Sequence, residues 1–224
     1  MISVIIPVLN EEQTIGSCIS RIKEEKSASE IIVADGGSSD RTKEIVTGFS
    51  DVRFVSSEKG RGLQMNSGAA RAKGDLLLFL HADTRLEPGW SAVLRSAFDS
   101  DELTGGAFSF RIDNPSARYR IVEALVALRC LLLKAPYGDQ SIFVRRTIFE
   151  KTGGYPAIPL MEDIELVRKL NKAGKIVILS HKAYTDSRRW EKKGILRTYI
   201  SNQFLRILYM YGVSPHKLAE RYYR

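Results

Sequence analysis

"LLLFLHADTR" (Leu76–Arg85) runs five apolar residues straight into His81, Ala82 and Asp83. An unbroken apolar strand is one covered on both faces, which means helices on each side of a sheet. The carboxylate at its end then lies where such a sheet opens to a ligand. The neighbouring segments supply the rest of the pattern. Strands are expected at 3–9, 30–35, 52–57 and 75–83, alternating with helices at 11–25, 39–49, 62–74 and 89–99. Asn10 is the expected cap of the first helix. Such alternation implies an α/β fold with a mostly parallel central sheet.

Polar residues gather at the strand ends. Asn10 and Glu11 follow the first strand, Asp35, Gly36 and Gly37 the second, and Asp83 the fourth. Each is an ordinary turn or cap residue when taken singly. Three strand ends bearing carboxylates point to a ligand instead.

The second half is less regular. A strand is expected at 105–112 and a long helix at 116–134, with Ile121, Leu125, Leu128 and Leu132 in line. Residues 137–156 read as a loop, a short strand, a helical turn and a glycine stop, before a helix at 161–175 and a last strand at 176–179. Leu196, Ile200, Phe204 and Leu208 recur every four residues, which makes 195–211 an amphipathic helix.

Of the 224 residues, 44% are hydrophobic and 27% charged, enough apolar material for a core. The expected organisation is one domain with a nucleotide-binding half (about 1–100), an acceptor and catalytic half (about 101–190) and a C-terminal helical extension (about 191–224). Cys18 and Cys130 lack metal-type spacing, and "ISVIIPV" has no basic leader, so a cytoplasmic protein is expected. The net charge is +8, and His181 to Arg224 holds ten Lys/Arg against three Asp/Glu. A basic tail suits an anionic partner or a solvated helix face.

Five segments in this order resemble family 2 glycosyltransferases of the GT-A fold: "SVIIPVLNEEQTI", "IIVADGGSSDRT", "LLLFLHADT", "PLMEDIELVRKL" and "SRRW". The resemblance covers nearly the whole chain. It implies transfer of a sugar from a UDP- or GDP-type sugar to an acceptor hydroxyl, in one step, with inversion, assisted by Mg²⁺ or Mn²⁺.

The resemblance also assigns roles. Pro7, Leu9 and Glu11 would wall the nucleoside site, with Asp35 reading the base and Gly36 shaping the turn. Lys59 and Arg61, ahead of a helix, suit a diphosphate, with Gln64 and Asn66 nearby. Asp83 would be the metal ligand, since Mg²⁺ often takes one or two carboxylates plus substrate phosphates. His81, followed by Ala82, stands where the family carries the first Asp of its pair and would face the ribose. Asp163 would be the catalytic base, next to Glu162 at a helix start where carboxylates also suit the dipole. Asp139, Gln140, Arg188, Arg189 and Trp190 are expected around the diphosphate and acceptor.

A lipid-linked acceptor, an anionic membrane surface and a homodimer are compatible partners. The helices at 116–134 and 195–211 would either lie on a leaflet or pack together as core or dimer interface. The rival readings are a nucleotide-sugar-binding or nucleic-acid-binding protein without transferase activity. Nucleic acid is disfavoured because it would not need the strand-end carboxylates. A Rossmann dehydrogenase or methyltransferase lacks its G-x-G-x-x-G after the first strand.

Overall fold

Successive side chains of β4 (Leu76–Phe79) point to opposite faces, and both faces are buried. Leu76 and Leu78 pack with Ile2, Val4 and Ile6 of β1 (Ile2–Val8), beneath α1 (Ile15–Glu24), α2 (Thr42–Thr47) and α4 (Trp90–Ala97). Leu77 and Phe79 pack on the other side with Ile5, beneath α3 (Arg61–Ala69), α6 (Arg146–Lys151) and α7 (Glu162–Ala173). Each such side chain contributes roughly 1.5–3 kcal/mol on burial. The structure is a computed structural model that describes residues 1–25, 29–99 and 102–223.

β2 (Ser29–Asp35) and β3 (Val52–Ser56) extend the sheet beside β1, all parallel, as expected from their apolar runs. The remaining strands are β5 (Thr84–Leu86), β6 (Leu103–Ile112), β7 (Phe143–Arg145) and β8 (Lys175–Thr185). The eight form one sheet in the order β3-β2-β1-β4-β7-β6-β8-β5.

Among the described residues four of the seven strand pairings are parallel, in keeping with the expected mostly parallel sheet, and the antiparallel ones involve the strands of the second half. β7 runs antiparallel to both β4 and β6 and follows a 3-10 turn at Gly138–Gln140. β8 runs parallel to β6 but extends to Thr185, beyond the expected end at 179. Pairing jumps from Phe108↔Leu179 to Ser109↔Lys182, so Ser180 and His181 bulge out of register. That polar interruption hides the rest of the strand from a pattern reading.

Four further helices close the second half: α5 (Ala117–Leu133), α8 (Arg188–Lys193), α9 (Ile195–Met210) and α10 (Pro215–Tyr223). Tyr119, Val122 and Val126 of α5 pack with Trp190 against Phe110 and Ile112. Leu205 of α9 and Leu218 of α10 pack on Leu160 and Met161, just before α7. α10 falls within the expected C-terminal helical extension but not within its expected helix at 195–211, and Pro215 at its first position is a helix-start signal. Ile121, Leu125, Leu128 and Leu132 lie exposed rather than in a core, as do Leu196, Ile200 and Phe204.

Candidate active site

The strand ends on the β1–β2–β4 side are held in place by polar links between loops. Asn10 does not cap α1, which starts at Ile15 behind Thr14. It takes a left-handed backbone (φ 57) and ties two loops together: its N–H donates to Ser38 Oγ (2.9 Å) and its Oδ1 accepts from Ser39 N (2.8 Å). Gln64, from α3, donates to the carbonyls of Val8 (2.7 Å) and Ala34 (3.0 Å), stitching the ends of β1 and β2. A Cβ at Gly36 would lie 2.9 Å from Gln64 Cδ, whereas the left-handed turn residue is Gly37 (φ 92). Gly36 is therefore needed for space, and Gly37 for the turn.

Two cavities open beyond these ends. The larger, about 680 Å³, is walled by Pro7, Leu9 and Glu11 at and beyond the end of β1, by Lys59, Arg61 and Gln64 around the start of α3, and by His81, Ala82 and Asp83 after β4. The start of α3 leaves its first N–H groups without helical acceptors, the arrangement that suits an anion. The smaller, about 240 Å³, is walled by Asp139, Glu162, Asp163 and Trp190, with Arg61, His81 and Asp83 again. Arg61, His81 and Asp83 thus form a partition common to both.

Asp163 sits in the first turn of α7, where carboxylates suit the helix dipole. Phe79 of β4 holds the segment before α7 through a T-shaped contact with Tyr155 (4.9 Å). Met161, at the N-cap of α7, has φ 71, an uncommon conformation for a residue with a long side chain. Asp163 Oδ2 accepts from Gly138 N (2.8 Å) and Oδ1 from its neighbour Ile164 N (2.8 Å). These two bonds fix the plane of the carboxylate. A Cβ at Gly138 would lie 3.3 Å from His81 Nε2 and 3.5 Å from Asp163 Oδ2, so this loop brings the partition and the α7 carboxylate together.

The electrostatics differ from group to group. Glu162 is 2% exposed and ion-paired to Arg61 (3.2 Å). Burial pushes its carboxyl up, Arg61 opposes this, and Asp163 adds to it. His81 is pushed down to about 4, by burial first and then by the Arg61 cation, so its imidazole is neutral at neutral pH. Burial also raises Glu11, partly offset by a hydrogen bond from Thr14 and reinforced by Asp83.

Burial pushes Asp139 up to about 6, with Arg129 opposing and Asp163 reinforcing, and its Oδ1 is buried without a hydrogen-bond partner. A carboxyl raised on folding binds its proton more tightly in the native state. Its ionisation therefore costs stability as pH rises from about 4 to about 6. Asp139→Asn is expected to raise the melting temperature at pH 7, by the equivalent of about 1–3 kcal/mol, and to have little effect at pH 4. Thermal unfolding at the two pH values checks this.

Several expected residues sit elsewhere. Asp35 is buried outside both cavity walls, and its carboxylate is occupied by its own turn, accepting from Gly37 N (3.2 Å) and from Ser38 N and Oγ. Gln140 is buried under the site, its amide donating to Phe108 O (3.1 Å) and accepting from Arg129 (3.0 Å). Arg188 is exposed and paired to Asp186 (2.7 Å), close enough to Glu11 to lower its carboxyl but outside both walls. Asn66 bridges to the backbone of Tyr155 (2.8 Å) and is structural. The side chain of Arg189 lies outside the described residues.

A model of glycosyl transferase family 2 matches residues 3–153. The chain belongs to this family. It is 27% identical over 198 residues to glycosyltransferase AglE of Haloferax volcanii, covering 80% of this chain and 64% of that protein. It is 30% identical over 201 residues to the probable glycosyltransferase YdaM of Bacillus subtilis, covering 77% of this chain and 47% of that protein. The chain thus spans about half to two thirds of the length of these curated relatives.

Solved structures share the GT-A fold. Glucosyl-3-phosphoglycerate synthase from Mycobacterium tuberculosis, in complex with Mn²⁺, UDP and glucosyl-3-phosphoglycerate, superposes with a TM-score of 0.63 at 23% identity, over 92% of this chain and 79% of that one. TarS of S. aureus, in complex with UDP-GlcNAc, does so with a TM-score of 0.63 at 18% identity, over 84% of this chain and 58% of that one.

In this member of the family the donor atoms present decide what metal site is feasible. Among the described residues no group of three or more His, Cys, Asp or Glu is placed to hold a metal. Asp83 offers one hard carboxylate on the partition, in a weak contact with Thr84 Oγ1 (3.3 Å). That fits a Mg²⁺ or Mn²⁺ completed by phosphate oxygens, not one held by the protein alone.

The C-terminal helices α9 and α10 also line the cleft, where no site residue is expected from the sequence. Asn202 and Arg206 of α9 and Tyr222 of α10 wall the smaller cavity, and His216 and Tyr223 of α10 wall the larger. Thr198, Asn202, Leu205 and Arg206 recur at helical spacing on the side of α9 away from its leucine stripe. That second stripe was the available signal.

Proposed function

We propose that the chain transfers a sugar from a UDP- or GDP-type sugar to an acceptor hydroxyl, with inversion and with Asp163 as general base. The observation that carries this reading is the shared partition of Arg61, His81 and Asp83. It divides a cavity shaped by strand ends and a helix start from one that contains a fixed carboxylate. The nucleotide would occupy the larger cavity, with its diphosphate at Lys59, Arg61 and the start of α3. The sugar and the acceptor hydroxyl would meet in the smaller one, lined by Asp139 and Trp190. As the acceptor oxygen attacks the anomeric carbon, its proton passes to Asp163 and the bond to the diphosphate breaks.

Asp83 would hold Mg²⁺ or Mn²⁺ together with the diphosphate, and the metal would neutralise charge on the leaving group. The complexes of the M. tuberculosis synthase with UDP and Mn²⁺ or Mg²⁺ support this choice of ions. In the same reading about residues 1–100 form the nucleotide half and 101–190 the acceptor half, with the C-terminal helices closing the cleft.

Calorimetric titration of UDP and GDP tests the donor assignment. Affinity is expected to rise at least about tenfold with Mn²⁺, and Asp83→Ala is expected to abolish that increment. Metal-independent binding, or no binding of either nucleotide, would overturn it. A screen of nucleotide sugars for slow hydrolysis then identifies the sugar.

A further inference from the structure

α5 is apolar on its solvent side as well as on the side it packs. Its inward face carries charge beside the buried Tyr119, Val122 and Val126. Glu123 is buried, accepting from Ile112 N (2.9 Å) and pairing with Arg111 and Arg120 (3.0 Å each). Arg129 is buried, stacked 3.5 Å from the Tyr137 ring centre and bonded to Gln140. Its outward face is apolar. From Ile121 to Leu133 the exposed large side chains are Ile121, Leu125, Leu128, Leu131, Leu132 and Leu133, between 39% and 77% accessible. A surface helix of a soluble chain normally turns a polar face outward.

α9 lies beside α5, with Ile195 and Tyr199 packed on the α5 cluster. It adds Leu196, Ile200, Phe204, Ile207 and Met210, all at least 43% accessible. Two adjoining helices therefore each turn a stripe of large apolar side chains outward, and exposed apolar area of this kind marks an interaction site. A groove of about 350 Å³ walled by Val126, Ala127, Leu131 and Ile178 continues it along the edge of α5.

We propose that the outward faces of α5 and α9 form a docking surface for an anionic lipid bilayer. Charge selects this occupant over a second copy of the chain. Exposed Arg118 and Lys134 stand at the two ends of the α5 face, and exposed Arg197 stands on α9. From Lys192 to Ala219 the sequence contains no Asp or Glu. Two copies placed face to face would bring like charges together with no carboxylate on α9 to offset them. An anionic leaflet supplies the counter-charges.

Length excludes crossing for these helices. At 1.5 Å per residue, the 17 residues of α5 and the 16 of α9 span about 25 Å each, short of a hydrocarbon core of about 30 Å. No helix among the described residues is long and apolar enough to cross a membrane. The two helices would lie in the interface plane, leucines down and basic side chains at headgroup level. The opposite side of α9, with Asn202 and Arg206, walls the smaller cavity, so the bilayer would lie one helix diameter, about 10 Å, from it.

Co-sedimentation with vesicles tests the proposal on the full chain. Vesicles of phosphatidylcholine mixed with phosphatidylglycerol are expected to bind it at least about tenfold more tightly than phosphatidylcholine alone, with binding weakened by salt. The double variant Leu128→Gln/Leu132→Gln is expected to lose roughly another tenfold or more. Neither residue lines a cavity of the cleft, so its melting temperature and nucleotide binding should match the parent, which separates this test from that of the transferase reading. Arg118→Gln/Arg197→Gln should erase most of the preference for the anionic vesicles. No association with anionic vesicles at low salt would overturn the proposal. So would binding that the leucine variant leaves unchanged. A dimer in sedimentation velocity that the leucine variant dissociates, without vesicle binding, would assign the face to self-association instead.

Discussion

Asp163→Asn is expected to lower transfer by about 10²–10⁴-fold, the usual contribution of a positioned general base. Affinity for the nucleotide should stay within about twofold, because Asp163 walls the smaller cavity and not the larger. The amide keeps the shape of the carboxylate but has one acceptor oxygen in place of two. One of the N–H groups now bonded, from Gly138 or Ile164, then loses its partner, at a local cost of about 1 kcal/mol. A small fall in melting temperature should therefore accompany a large fall in rate, and the mismatch between them is the signature of a chemical role. Glu162 is poorly placed to substitute, being 2% exposed and paired to Arg61. If the variant turns over normally, Asp139, raised to about 6 on the same cavity wall, becomes the next candidate base. Paired kinetic and calorimetric measurements on one preparation decide the matter.

How far these roles could be read from the chain depends on the distance over which each is determined. The sheet end at His81–Asp83 was legible because a doubly buried strand must be apolar throughout, so its first carboxylate marks its exit. The same holds for Pro7, Leu9 and Glu11, which also lie on the cleft wall. Asp35 has the same local signature, yet its oxygens are taken by Gly37 and Ser38. Sequence shows that a carboxylate sits in a turn, but not whether the turn folds back on it. Gln140 differs in the same way, since its partners Phe108 and Arg129 are distant in the chain.

The stripes on α5 and α9 show a further limit. Periodicity identifies a face, but a face turned outward has the same period as one turned inward. The packing of Tyr119, Val122 and Val126, on the opposite side of α5 with Glu123 and Arg129, reveals which way it points. β8 runs past its expected end for a different reason, because its bulge at Ser180 and His181 breaks the strand pattern locally.

Arg61→Met is expected to have the largest effect on stability of any single change to the cleft, about 2–4 kcal/mol at pH 7. Removing one partner of a buried ion pair leaves the other charge uncompensated, typically at 3–5 kcal/mol. The estimate is discounted because the Arg61 side chain is 37% exposed, although that of Glu162 is only 2% exposed. The same difference in exposure makes Glu162→Gln milder, since the stranded arginine can reach water. The pH dependence follows from the direction of the Glu162 shift. Burial raises its carboxyl above the unfolded value, and loss of Arg61 raises it further. A raised acid makes the native state bind more protons, so stability falls as pH rises from about 4.5 through the folded pKa. The deficit of Arg61→Met should therefore shrink toward pH 4.5 and be complete once Glu162 is ionised. Adding Glu162→Gln removes the stranded charge and should recover most of the loss at pH 7, giving a coupling of at least about 1 kcal/mol in a double-mutant cycle. Nucleotide affinity should not recover, because Arg61 stands on the wall of both cavities and its cation would still be missing. Recovery of stability without recovery of binding would separate the two tasks of Arg61, as the partner of a buried carboxylate at the start of α7 and as the cation facing the diphosphate.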